Sequence, residues 1–176
     1  NSGRLTRRLS NSVNYKSNSM SGFKLLAAYG LGETGSGPSG DTAGVGVEYA
    51  NGPLFVGAGY HQVERLASGD DKEYTVGAGY KFGVVEVKGN YMVGDRTGAN
   101  NKFEQLNLGA AVAVGGAGKV YVNLQRNEQA SGKGNLVALA YSHSLSKRTN
   151  VYATLAAMRN NGSGVFGINA SGVNVT

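Results

Sequence analysis

At 176 residues the chain is long enough for one domain, yet its composition argues against a close-packed soluble core: Gly is the commonest residue at 29, Trp and Cys are absent, Pro occurs twice, and the apolar share is 40% with ten Tyr included. The lack of cysteine excludes a disulfide framework and thiolate metal sites. A formal net charge of +6 favours anionic partners without separating nucleic acid, anionic solutes and lipopolysaccharide.

No apolar run approaches the roughly 18 residues of a membrane helix, but barrel strands alternate lipid-facing and lumen-facing residues and so average to a mild hydropathy. Taken in chain order, the period is 2 throughout, the signature of strands. A short strand is expected around Asn11 to Lys16; next, Phe23, Leu25, Ala27, Tyr29 and Leu31 set one apolar face against Lys24 and small residues. The alternation recurs in Ala43 to Tyr49, Leu54 to Tyr60, Tyr74 to Phe82, Val85 to Val93 and Leu106 to Val114, then in Val120 to Leu124, Val137 to Leu145 and Val151 to Leu155. These segments amount to about ten strands, most of roughly membrane-spanning length. Short turns are expected at Asn18 to Ser21, Asn51-Gly52, Gly83, Gly115 to Gly118 and Ser146-Lys147. Longer polar loops are expected at Gly32 to Asp41, Glu64 to Lys72, Gly94 to Asn101, Asn127 to Lys133 and Asn160 to Gly164. Short connections at one end and long ones at the other describe an up-and-down meander.

The charges select between a soluble barrel and a membrane barrel. Lys16, Lys24, Glu48, Glu73, Lys81, Glu86, Lys88 and Lys119 all fall opposite the apolar residues, whereas Glu104 and Arg126 break phase only at strand ends beside long loops. Tyr and Phe gather toward strand ends on the apolar face, as in the aromatic girdles of a membrane interface. The other face carries Gly44, Gly46, Gly57, Gly59, Gly77, Gly79 and Gly109, too bare to fill a dry core and suited to a wet interior. The fold class expected is all-β: a transmembrane antiparallel up-and-down β-barrel.

Several segments carry a family likeness. Asn11-Ser12-Val13-Asn14-Tyr15-Lys16-Ser17 with Gly22-Phe23, Tyr49-Ala50-Asn51-Gly52-Pro53-Leu54, and Leu145-Ser146-Lys147-Arg148-Thr149-Asn150-Val151-Tyr152 resemble motifs of the β-proteobacterial porins, the general diffusion channels of the Neisseria and Comamonas type. The last of the three is the most specific. The resemblance implies an outer-membrane homotrimer of sixteen-stranded barrels, each narrowed by a long extracellular loop folded into the lumen. It also implies passive diffusion of small hydrophilic solutes, anionic or neutral, with an anion preference set by basic lumen residues. On that alignment the chain covers about the last ten to eleven strands of one barrel domain. Residues 1–10 would end the constriction-loop region, 11–159 form the meander, and 160–176 hold the last long loop and part of a strand. Asn1 is not an initiator Met and the chain stops at Thr176 without a terminal Phe strand, so a processed or incomplete chain is expected.

In a pore the working groups are wall charges, whose field acts on the passing ion. The candidates are Lys16, Lys24, Lys81 and Lys88 by lumen phase, and Arg4, Arg7 and Arg8 by proximity to the family's constriction strand. For Lys16, Lys24 and Lys81 the competing reading is a snorkelling position near a rim. Glu64, Asp70, Asp71 and Asp95 fall in expected outer loops, where carboxylates can bind divalent cations or pair with basic residues of neighbouring loops; their spacing matches no calcium loop, and they read first as solvated loop surface. No cofactor or metal is expected; outer-membrane lipid and lipopolysaccharide are the expected surroundings.

The rival readings are an outer-membrane hydrolase (a protease or phospholipase), a loop-based adhesin and a nucleic-acid binder. The first needs a histidine-activated nucleophile or water, yet His61 and His143 take opposite phases near opposite ends, and Ser142 and Ser144 point away from His143. Loops of about seven to ten residues are short for an adhesin. Dispersed basic residues without a stacking platform do not suit nucleic acid.

Overall fold

A computed structural model describes residues 9, 11–33, 40–65, 69–97, 102–162 and 166–167. Ten strands follow one another: β1 (Ser12–Lys16), β2 (Phe23–Gly30), β3 (Thr42–Asn51), β4 (Leu54–Val63), β5 (Asp71–Phe82), β6 (Val85–Asp95), β7 (Phe103–Val114), β8 (Gly118–Gln129), β9 (Gly132–Ser146) and β10 (Thr149–Gly162). Each pairs antiparallel with its neighbours in chain order in a single sheet, and no helix occurs among the described residues. Among those residues β1 and β10 each pair on one side only.

The strands form where β-branched and aromatic residues alternate with small or polar ones, and they end where glycine permits a reversal. At the β1–β2 turn Gly22 holds φ +90, and a Cβ there would come within 2.6 Å of the Ala50 carbonyl oxygen near the end of β3. Only glycine fits that combination.

One loop expectation fails. The polar stretch Asn127 to Lys133 is not a long loop: β8 continues to Gln129, β9 begins at Gly132, and Ala130 and Ser131 alone make the turn. Polarity misleads here because the strand has risen past the hydrocarbon, where both faces are wet and apolar alternation is no longer required. The hairpin is held instead by cross-strand partners, Glu128 opposite Lys133 in register with a 2.7 Å ion pair. Likewise β10 runs past the expected boundary at 159 to Gly162.

The register sorts side chains onto two faces. One row crosses the sheet as Leu25, Val47, Ala58, Val76, Tyr91 and Leu106, and the next as Phe23, Tyr49, Val56 and Ala78. Most of these side chains stand exposed, with Leu25 at 48% and Val76 at 50%, while most residues of the opposite phase are half-buried, as on the concave side of a curved sheet. Among the described residues only Val63, Met92, Phe103 and Ala111 are buried apolar side chains. There is no dry centre, and an apolar face of this extent requires hydrocarbon as its solvent.

Aromatics bracket that face. Phe23 and Tyr49 meet with ring centroids 4.6 Å apart and Tyr80 and Phe82 at 4.4 Å near the short turns, while Tyr60 and Tyr74 meet at 5.0 Å toward the long loops. Tyr74 and Tyr80 lie six residues apart on β5, roughly 20 Å along the strand, which is close to the height of an apolar band. Beyond the upper belt one outward carboxylate is doubly held: Glu104 accepts hydrogen bonds from Tyr91 (2.9 Å) and Lys102 (2.7 Å). The Glu104 contact holds the Lys102 ammonium above the usual lysine range.

The loop ends are pinned by carboxylates. Asp71, with its side chain 8% exposed, forms a 2.9 Å ion pair with Arg65 and accepts from the Thr97 backbone N–H (2.9 Å) and hydroxyl (3.1 Å). This one side chain ties the β4–β5 connection to the β6–β7 connection. Asp70 accepts from Gln62 at 2.7 Å. Asp71 thus pairs with a basic residue, one of the roles foreseen for it, although it opens β5 and does not lie in a loop, while the partner of Asp70 is a neutral amide.

Val47 tests the assignment of faces. Val47→Lys should destabilise the barrel by about 2 to 4 kcal/mol at midplane depth. Urea titration of the folded full-length protein in vesicles measures the loss, and an undiminished midpoint would mean that this face does not meet lipid.

Candidate pore-lining wall

The concave face is built from alternate residues of every strand, and it is unevenly furnished. From β2 to β5 it is largely bare: Gly44, Gly46, Gly57, Gly59, Gly77 and Gly79 lie there beside Ala28 and Thr75. On β6 to β8 it carries Glu86, Lys88, Asn90, Asn107, Lys119, Tyr121, Asn123 and Gln125. Small residues then return on β9 and β10, where Ala138 faces Ala156 and Ala140 faces Thr154.

Of the lysines selected by phase, all four lie on this face in two separate groups. Lys16 closes β1 and Lys24 opens β2, opposite Glu48, both at the short-turn end. Lys81 stands opposite Glu86, also near the short-turn end. Lys88 lies deeper in the wall, between Gly79 and Gly109. The rim position of Lys16, Lys24 and Lys81 fits the snorkelling alternative as well as a wall role. Arg4, Arg7 and Arg8 lie outside the described residues.

Around Lys88 the structure assembles a cluster that sequence reading found only in part. Glu86 pairs with Lys88 at 2.6 Å and with Lys119 at 3.6 Å, although Lys119 arrives from β8. The Lys119 ammonium also sits 5.5 Å from the centre of the Tyr121 ring, within cation–π range. Asn123 donates to Asn107 at 2.6 Å and Gln125 donates to Asn127 at 2.9 Å, forming a hydrogen-bonded amide series. Phase had marked Lys119 as inward but not as part of a site. The amide series had a signal in sequence, the run of Asn123, Gln125 and Asn127 at every second position.

Gly79 is what gives Lys88 its place. A Cβ on Gly79 would lie 2.9 Å from Lys88 Cγ, so the lysine stem lies across ground that any other residue would occupy. The histidines do not converge: His61 lies on the concave face opposite Glu73, while His143 lies on the outward face with its Nδ1 2.9 Å from the Tyr141 hydroxyl. Among the described residues no group of three or more His, Asp or Glu is placed to hold a metal ion.

Comparison with known proteins gives the family. The Gram-negative porin family matches residues 1–163. This chain belongs to the Gram-negative porin family. Its location is accordingly the bacterial outer membrane. Outer membrane porin protein 32 of Delftia acidovorans is 32% identical over 94% of this chain and 51% of its own length. The solved anion-selective porin from Comamonas acidovorans is 31% identical and superposes with a TM-score of 0.85, over 94% of this chain and 54% of that one. OmpT of Vibrio cholerae, at 17% identity, TM-score 0.69 and coverage of 86% and 54%, shares the fold. The chain thus spans about half the length of the relatives it matches.

The Gly79 contact yields a prediction. Gly79→Val should push the Lys88 stem off the wall and break its 2.6 Å pair with Glu86, shifting the reversal potential of the reconstituted full-length protein without loss of folding. An unshifted potential would mean that Lys88 reaches the same position without the glycine.

Proposed function

We propose that the full-length protein forms a water-filled outer-membrane channel for passive diffusion of small hydrophilic solutes and ions, with a preference for anions. The observation that carries this reading is the separation of faces: exposed valines, leucines and tyrosines outward, and Lys16, Lys24, Lys81, Lys88 and Lys119 against Glu48, Glu73 and Glu86 on the concave side. A surplus of fixed positive charge on a wall raises the local anion concentration and lowers the barrier to anion passage. The similarity to the Comamonas porin, described as anion-selective, supports the sign. Arg4, Arg7, Arg8, Lys16, Lys24, Lys81 and Lys88 are the proposed selectivity residues. Guanidinium groups, always charged and well matched to carboxylate and phosphate, are assigned the strongest effect.

The proposal includes a homotrimeric assembly surrounded by outer-membrane lipid and lipopolysaccharide, as the family resemblance implies. It makes the protein a channel and not a catalyst; the relatives are porins, and His61 and His143 lie on opposite faces, which does not favour a hydrolase.

Reconstitution of the full-length protein in a planar bilayer under a KCl gradient tests the reading. Stepwise current with an anion-biased reversal potential is expected. Turnover of lipid or peptide without conductance would favour the hydrolase instead. Two substitutions should move the reversal potential in opposite directions: Arg8→Glu lowers the anion preference, and Glu86→Gln raises it by releasing Lys88 and Lys119 from their shared carboxylate. A shift of the same sign in both would show that wall charge does not set selectivity.

A further inference from the structure

The inward residues of β8 run Lys119, Tyr121, Asn123, Gln125, Asn127 and Gln129, so every lumen-facing side chain of this strand carries a hydrogen-bonding group from one rim to the other. Only the five-residue β1 shares this among the described strands, and it is not required for anion preference. The most enclosed part lies over Gly109. In register, Lys88 stands on one side of that glycine and Asn123 on the other, two strand spacings or roughly 10 Å apart at their Cα atoms. Asn90 and Asn107 stand in the row above, Glu86 and Tyr121 in the row below. The groove so formed has a volume of about 840 Å³.

The notch has two chemical characters. Its positive charge is half compensated in place, since the single carboxylate of Glu86 takes Lys88 at 2.6 Å and Lys119 at 3.6 Å, and the Tyr121 ring faces Lys119 as well. Its amides are half used: the 2.6 Å bond from Asn123 to Asn107 leaves the Asn107 amino group free to donate and the Asn123 carbonyl free to accept. A simple anion can only accept hydrogen bonds, whereas a hydroxyl does both. The Tyr121 ring adds an apolar surface beside the amides.

We propose that the notch over Gly109 is a wall subsite for a neutral polyhydroxylated solute of monosaccharide size, its hydroxyls paired with Asn107 and Asn123 and its carbon skeleton beside Tyr121. The inference rests on the channel reading and gives it a solute class distinct from anions. It provides a resting point on the way through, formed on the wall itself.

The test is the conductance of the full-length protein in a planar bilayer with KCl, titrated with D-glucose while the conductivity of the bulk solution is followed. The expected result is a saturable fall in conductance beyond the bulk change. In the variant carrying both Asn107→Leu and Asn123→Leu, the half-saturating concentration should rise about ten-fold, the loss expected of two hydrogen bonds. Gly109→Val should show the same loss by filling the floor: a Cβ there makes an ordinary 3.6 Å contact with Asn123 Nδ2, so the strand tolerates it. A fall that only tracks bulk conductivity, or equal half-saturation in wild type and both variants, overturns the subsite while leaving the channel standing. Block by gluconate with none by glucose overturns it in favour of an anion site. Absence of any conductance would sink the channel reading and the subsite with it.

Discussion

A peptide group in hydrocarbon has no water to bond, and the architecture of this chain follows from that constraint. Ten strands satisfy one another by pairing in strict chain order, each hairpin feeding the next. Because the ladder fixes the pleat, side chains are forced onto alternate faces, and each face must then suit its own solvent. Leu25, Val47, Val76 and Leu106 answer for hydrocarbon on one side, and Lys24, Glu48, Asn90 and Asn107 for water on the other. Such a fold has little need of a core, and the few buried apolar side chains, such as Val63, Met92 and Phe103, lie near the long-loop ends of their strands.

The concave wall does not behave as a uniform coat of charge. Glycines keep β3 to β5 close to bare backbone, which widens the passage there, while β6 to β8 concentrate lysine, carboxylate, amide and phenol. Glu86 is central to that contrast: it holds two ammonium groups at once, so the strand carrying Lys88 and the strand carrying Lys119 act as a single electrostatic unit across β7. Above the membrane the same economy recurs with Asp71, one buried carboxylate that binds Arg65 and Thr97 and joins two loops. Charges that leave bulk water in this protein keep close partners, as the cost of desolvation requires.

Legibility in the sequence follows the range of the interaction. Strand existence, strand order and the phase of each side chain are local properties with a period of 2, and the run from Phe23 to Leu31 or from Tyr74 to Phe82 displays them without reference to any other segment. Strand ends were less legible. From Asn127 to Lys133 the residues are as polar as a loop, because above the hydrocarbon a strand is held by its partner and no longer by its apolar face.

Sequence alone determined that one face of every strand is apolar and the other polar, that about ten strands follow one another, and that the porin motifs stand in order. The tertiary structure decided which way the sheet curves, hence which face is the wall, and which wall residues meet. Lys88 and Lys119 lie 31 positions apart and Gly79 lies nine before Lys88, yet register brings them around one carboxylate and one bare patch of backbone. Period is written in neighbouring residues, whereas register depends on hydrogen bonds between strands and is complete only when the chain has folded back beside itself.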